Sequence, residues 1–136
     1  MYDNILIPID FDHLEMFDQA RMIAERLLSE TGRISLLHSV ADIPVYAATA
    51  IPSDLLLENR EVAKRHLEEL ALGAGPLYSA ISTHGPAHTA IIDAAEKGGH
   101  DCIVIASHKP GLQDYFLGST AARVVRHAPC PVHVLR

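Results

Sequence analysis

The sequence predicts an α/β domain: a doubly wound, five-stranded parallel sheet with helices on both faces. Three observations lead there. Short β-type runs alternate with helical patterns along the chain, in the order β-α-β-α-β-α-β-α-β. Runs such as Ile103-Val104-Ile105 are continuously apolar, as expected of strands covered on both faces. The 136 residues suit one domain, residues 1–136, with a core that needs no disulfide or metal staple.

The first strand spans Asn4 to Ile9 and runs out as Ile7-Pro8-Ile9-Asp10. A helix follows over Leu14 to Glu30, with Phe17, Ala20, Ala24, Leu27 and Leu28 on one face and Glu15, Asp18, Arg21 and Glu25 on a solvated side. The second strand covers Arg33 to Val40. Residues Ala41 to Pro52, with their prolines and small side chains, form a long loop, expected to act as a flap over a ligand. Leu56, Ala63, Leu67 and Leu70 carry a helix over Ser53 to Leu72, with Ser53 and Asp54 as caps and Gly73 and Gly75 as its stop. The third strand is Leu77 to Thr83. Pro86 suits the first turn of a helix that reaches Lys97 and ends at Gly98-Gly99. The fourth strand is Asp101 to Ala106, and a polar loop leads to a short helix, Gly118 to His127, that stops before Pro129. Pro131 to Leu135 is the last strand.

Composition narrows the function classes. With 49% hydrophobic and 21% charged residues the chain is unlike disordered sequences. A net charge of −6 argues against a nucleic-acid backbone or an anionic membrane as the main partner. The N-terminus lacks a basic segment followed by a long apolar core, and no run approaches the roughly 20 apolar residues of a membrane span. The expected location is the cytoplasm. Cys102 lies in an apolar run and Cys130 between two prolines, a pattern of reduced thiols and not of a disulfide or metal pair.

The residues that carry chemistry gather at two strand ends. In open α/β sheets ligands bind beyond the C-terminal ends of the strands, where the winding reverses. The first strand ends in Asp10, and the fourth runs out as Ala106-Ser107-His108-Lys109 toward Gly118-Ser119-Thr120. A loop that ends at a helix N-terminus collects unpaired N–H groups beside the positive end of the helix dipole, a cradle for phosphate. If the first and fourth strands are neighbours, a ribose lies by Asp10 and phosphates rest on the N–H groups of Gly118, Ser119 and Thr120. Asp10 has a plainer reading as a cap or turn residue. His38, His108, His127 and His133 show no metal-ligand spacing. Ser107 and His108 lack a nucleophile elbow and an orienting acid, Asp93 and Glu96 fall on a solvated helix face, and Lys64, Arg65 and His66 form a solvated basic cluster.

The chain resembles the universal stress protein family, in particular its small nucleotide-binding bacterial members. The resemblance spans the chain: Ile5-Leu-Ile-Pro-Ile-Asp10, Leu37-His38-Ser39, Gly85-Pro-Ala87, Ala106-Ser-His-Lys-Pro110, Leu117-Gly-Ser119 and Val125-Arg-His-Ala-Pro-Cys-Pro131. It implies a Rossmann-like fold and an adenine-nucleotide site. ATP-binding members carry Gly-x2-Gly-x9-Gly-(Ser/Thr). Here Ala106 and Lys109 stand at the first two glycines, and eight residues separate Lys109 from Gly118. The Ala-Ser-His-basic-Pro variant looks like a branch that retains nucleotide binding. Carried over by position, Pro8, Ile9, Asp10 and Ser39 fall on the adenosine side. Ala106, Ser107, His108, Lys109, Gly118, Ser119 and Thr120 fall on the phosphate side, where the Lys109 ammonium is within reach of a phosphate. The cofactor so implied is ATP, with a divalent cation such as magnesium held through the nucleotide and helped by Asp10.

The last strand, with Val132 and Val134 alternating with His133 and Leu135, is followed by no helix before Arg136. Such an edge pairs with a second copy, and the resemblance implies the same homodimer. The functional expectation is a stress-response regulatory protein that binds ATP, with hydrolysis slow at most, since no residue is placed as a general base. The competing reading is a dimeric scaffold that has lost nucleotide binding and works through protein partners. A phosphoacceptor receiver domain fits less well, because the intervening strands end in Ser39 and Thr83 where an acceptor aspartate is needed.

Overall fold

The computed structural model describes residues 1–41, 49–107 and 117–136. Along the chain run β1 (Tyr2–Pro8), a 3-10 turn (Phe11–His13), α1 (Glu15–Leu27), β2 (Leu28–Val40), α2 (Ser53–Ala74), β3 (Tyr78–His84), α3 (Ala87–Lys97), β4 (Cys102–Ala106), α4 (Ser119–His127) and β5 (Val132–Leu135). The strands form one five-stranded sheet in the order β3-β2-β1-β4-β5, and every pairing is parallel. From β1 the chain winds outward through β2 to β3, then returns to the other side of β1 for β4 and β5. The winding therefore reverses between β1 and β4, where Ile5 pairs with Cys102 and Leu6 with Ile103.

Helices cover both faces, which is why Ile5 to Ile7 of β1 and Cys102 to Ala106 of β4 are apolar at consecutive positions. Ile5 and Ile7 of β1, Ile34 and Leu36 of β2, and Val104 of β4 point into one layer with Phe17, Ala20 and Ala24 of α1 and Leu67 and Ala71 of α2. Leu6, Leu37, Ile103 and Ile105 point into the other, against Ile91 and Ala95 of α3 and Ala121 and Val124 of α4. The alternation along each strand survives, but both faces are dry. The two cysteines are unpaired and divide between the layers, Cys102 in the first and Cys130 against the second. Burial pushes the Cys102 thiol up to about 11.

Several element ends differ from the sequence expectation. The first helix stops at Leu27, and Leu28 to Glu30 belong to β2, because Leu28 pairs with Tyr2 ahead of an irregularity between Tyr2 and Asn4. Neither Ser53 nor Asp54 caps α2; Pro52 takes the N-cap position without a side-chain bond. That helix also passes through Gly73 and ends at Gly75, whose φ of 130° only glycine adopts readily. Pro86 and Gly118 are N-cap residues and not first-turn residues. The expected flap falls largely on residues 42–48, outside the described residues. Strands β3 and β5 are the two edges of the sheet. Among the described residues no helix is long and apolar enough to cross a membrane.

Candidate ligand-binding site

The reversal between β1 and β4 opens into a cavity of about 500 Å3 at the C-terminal ends of the strands. Every expected site residue within the described segments lines it. Pro8, Ile9 and Asp10 enter from β1, Ser39 from β2, Ala106 and Ser107 from β4, and Gly118, Ser119 and Thr120 from the start of α4. His108 and Lys109 lie outside the described residues.

On the β1 side the backbone is held by its neighbour. The Ile9 amide donates to the Leu37 carbonyl at 2.7 Å, extending the β1–β2 ladder past the strand's end. Asp10 then turns the chain: its Oδ1 accepts the Asp12 amide at 2.9 Å and caps the 3-10 turn. Asp10 is thus both a cap and a wall of the cavity. Ser39 Oγ donates to the Gly85 carbonyl at 2.8 Å, and the Gly85 amide donates to the Val40 carbonyl at 2.8 Å. These bonds fasten the end of β2 to the turn before α3.

The opposite wall is built around Ser107. Its amide donates to the Leu135 carbonyl at 2.7 Å, and its carbonyl accepts the Gly118 amide. The expected cradle is corrected in one particular, since Gly118 N–H is consumed inside the protein and is not free for a phosphate. Gly118 contributes instead as the N-cap, its carbonyl accepting the Ala122 amide at 2.8 Å. The amides of Ser119, Thr120 and Ala121 belong to the first turn and have no acceptor within the helix. All three residues line the cavity, at the positive end of the α4 dipole. Ala106 sits in the extended backbone of β4, and no non-glycine residue among those described has a positive φ. Alanine at that position carries no backbone strain.

Sequence reasoning missed much of the cavity's apolar lining. Met16, Phe17 and Ala20 of α1 face it from one layer, Ala87 and Ile91 of α3 from the other. These were legible only as core positions. His13 and His38 line it as well. His38 packs against Phe11 with ring centroids 4.6 Å apart and ring planes tilted by 54°, and its Nδ1 is sealed from solvent with no hydrogen-bond partner. Burial lowers its pKa below the ordinary histidine value, against the opposing pull of Asp10 and Asp12. Its place beside Ser39 at a strand end was the available signal. Among the described residues no group of three or more His, Cys, Asp or Glu is arranged to hold a metal ion.

The sequence pattern that defines the universal stress protein family matches residues 1–136. The chain belongs to the universal stress protein family. Universal stress protein G of Escherichia coli O157:H7 is 31% identical over 142 residues, with both chains covered in full. Among solved structures, universal stress protein UspA from Lactobacillus plantarum is 29% identical and superposes with a TM-score of 0.76 over 99% of this chain and 98% of its own. The universal stress protein from Archaeoglobus fulgidus in complex with dAMP shares the fold at 20% identity, with a TM-score of 0.62 over 99% and 98% of the two chains. In this universal stress protein the described residues form the five-stranded parallel sheet with helices on both faces, and alanine and lysine stand at positions 106 and 109.

Proposed function

We propose that this universal stress protein is a cytoplasmic stress-response regulator that binds an adenine nucleotide, ATP by preference, and acts as a homodimer through β5. The observation that carries the nucleotide reading is the cavity at the β1–β4 reversal, with unpaired α4 amides on one wall and Asp10 on the other. Its volume of about 500 Å3 falls in the range of small-molecule sites, roughly 300–1,000 Å3. Apolar side chains from both layers line the space for a base. The fold neighbour that holds dAMP supports the ligand class.

Pro8, Ile9, Asp10 and Ser39 take the adenosine end; Ala106, Ser107 and the first turn of α4 take the phosphates, with His108 and Lys109 on the same side. The chain's net charge of −6 opposes a polyphosphate, so a divalent cation on the nucleotide, drawn toward Asp10, offsets the repulsion. Among the described residues the α4 wall of the cavity presents no carboxylate or imidazole to act as a base toward water, and hydrolysis is slow. Calorimetric titration with ATP and magnesium tests the reading. Saturable binding below millimolar nucleotide supports it, and no heat at millimolar nucleotide leaves the scaffold reading in its place.

The dimer rests on the β5 edge. Ile103 N–H bonds to Pro131 C=O and Ser107 N–H to Leu135 C=O, so the odd-numbered backbone groups of this edge face β4 and those of Val132 and Val134 face outward. Val134→Pro removes one outward donor and spares the β4 ladder. Sedimentation velocity should show a dimer for the natural chain and a monomer for the variant.

A further inference from the structure

Among the described residues the cavity is lined by a buried side-chain nitrogen without a hydrogen-bond partner, Nδ1 of His38. His38 sits at the end of β2 beside Ile9, whose amide continues the β1–β2 ladder, and directly next to the turn that Asp10 caps. Its ring is covered by Phe11, the first residue of that turn, and Nδ1 is cut off from solvent without a partner. A neutral imidazole tolerates this arrangement, because a buried lone pair is a smaller loss than a buried N–H without an acceptor. The imidazolium does not tolerate it, since both ring nitrogens then carry protons and Nδ1 has neither an acceptor nor access to solvent.

The groups able to answer that proton are close by. Asp10 and Asp12 bracket Phe11 on the same turn and act electrostatically on His38. His13 closes the turn and lines the cavity, His66 of α2 approaches Phe11 from its other side at 6.0 Å, and His84 ends the neighbouring β3. Among these described residues only the two carboxylates can accept a hydrogen bond as anions, and Asp10 Oδ1 is engaged with the Asp12 amide.

We infer that His38 is a proton-controlled gate on the nucleotide site: neutral, it supports the capped turn that presents Asp10 to the ligand, and once protonated it draws Asp10 off the Asp12 amide and weakens binding. The inference rests on the nucleotide reading proposed above for its ligand, but the movement of the turn does not need a ligand. Because the gate closes by proton uptake at a buried histidine, affinity is full above the ordinary histidine value near 6.5 and declines as the pH falls below it. The two phosphate-side features, the α4 amides and the Ser107 clamp, take no part.

Two measurements test it. In the free protein, the Asp12 amide resonance is followed from pH 7.5 to 5.0 in the natural chain and in His38→Gln, which keeps a polar side chain without a titrating ring. A shift of the Asp12 amide that tracks His38 protonation and disappears in His38→Gln supports the gate; the same shift in both proteins overturns it. In the second, ADP affinity is measured at pH 7.5 and 5.5 for both proteins. The ligand's own titration is common to both and cancels in their ratio. The natural chain should lose at least about threefold more affinity than His38→Gln over this range, and an equal loss overturns the gate. If ADP binds neither protein at either pH, the nucleotide reading falls, and the Asp12 amide alone decides whether the turn responds to His38.

Discussion

Ser119→Pro removes a single amide from the cavity wall without disturbing the helix that carries it. Ser119 is the first helical residue of α4, where the N–H has no acceptor within the helix and proline's fixed φ is already suitable. Proline also restricts the preceding residue to extended backbone, and Gly118 lies there, at φ −58° and ψ 154°. The Gly118 bonds to Ser107 and Ala122 use atoms that the substitution leaves in place. Stability should therefore change by less than about 1 kcal/mol. If the amide holds a phosphate, its loss removes one hydrogen bond to a charged group, about 1.5–3 kcal/mol, or roughly a ten- to hundredfold rise in Kd for ATP. Ser119→Ala loses only the hydroxyl and isolates the amide's share by comparison. Calorimetry on the three proteins, with thermal unfolding as a check on the fold, provides the measurement. Equal affinity for Ser119→Pro and Ser119→Ala would refute an α4 phosphate cradle.

Three further outcomes follow from the packing. Leu67 is fully buried between α2 and the sheet, so Leu67→Ala should lower stability by about 2–5 kcal/mol in urea unfolding. A Cβ at Gly73 meets nothing within 4 Å and the residue lies inside α2, so Gly73→Ala should raise the urea midpoint by an amount equivalent to about 0.5–1 kcal/mol. Glu25 is held below its usual carboxylate range by the Tyr78 hydroxyl, 2.6 Å away, and by Arg21 at 2.9 Å. A depressed carboxylate stabilises the fold above its unfolded pKa, near 4.3, and that stability is lost as the pH falls through the folded value. Tyr78→Phe should therefore be less stable than the natural chain at pH 7, with the gap narrowing toward pH 3.

The sheet was legible because double coverage makes strands such as Ile103-Val104-Ile105 apolar at every position, and that signal does not depend on distant partners. The β1–β4 adjacency was legible only as a condition, since strand order is set by which faces the crossovers cover. The end of the first helix was hidden for a related reason. Leu27 and Leu28 continue the helical phase, and only pairing with Tyr2 pulls Leu28 into β2. At the cavity, the strand-end and helix-start residues were readable from position. Phe17, Ala20 and Ile91 were not, because a core side chain and a ligand-facing one obey the same periodicity. The capture of the Gly118 amide by Ser107 was equally hidden, being a contact across eleven positions of chain.

That capture bears on what the replaced glycines mean. In a glycine-rich loop, backbone freedom lets the main chain wrap an anion closely. Here the start of α4 is positioned by a different device: Ser107 takes its bearings from the last residue of β5 through the Leu135 carbonyl and passes them to Gly118 through its own. Both bonds involve main-chain atoms, and Ala106 precedes them in ordinary strand backbone. The start of α4 is thus tied to the sheet through main-chain atoms. The same pair of bonds joins the α4 side of the cavity to the edge strand proposed to pair with a second copy. A change that shifts Leu135 should therefore reach Gly118 through Ser107.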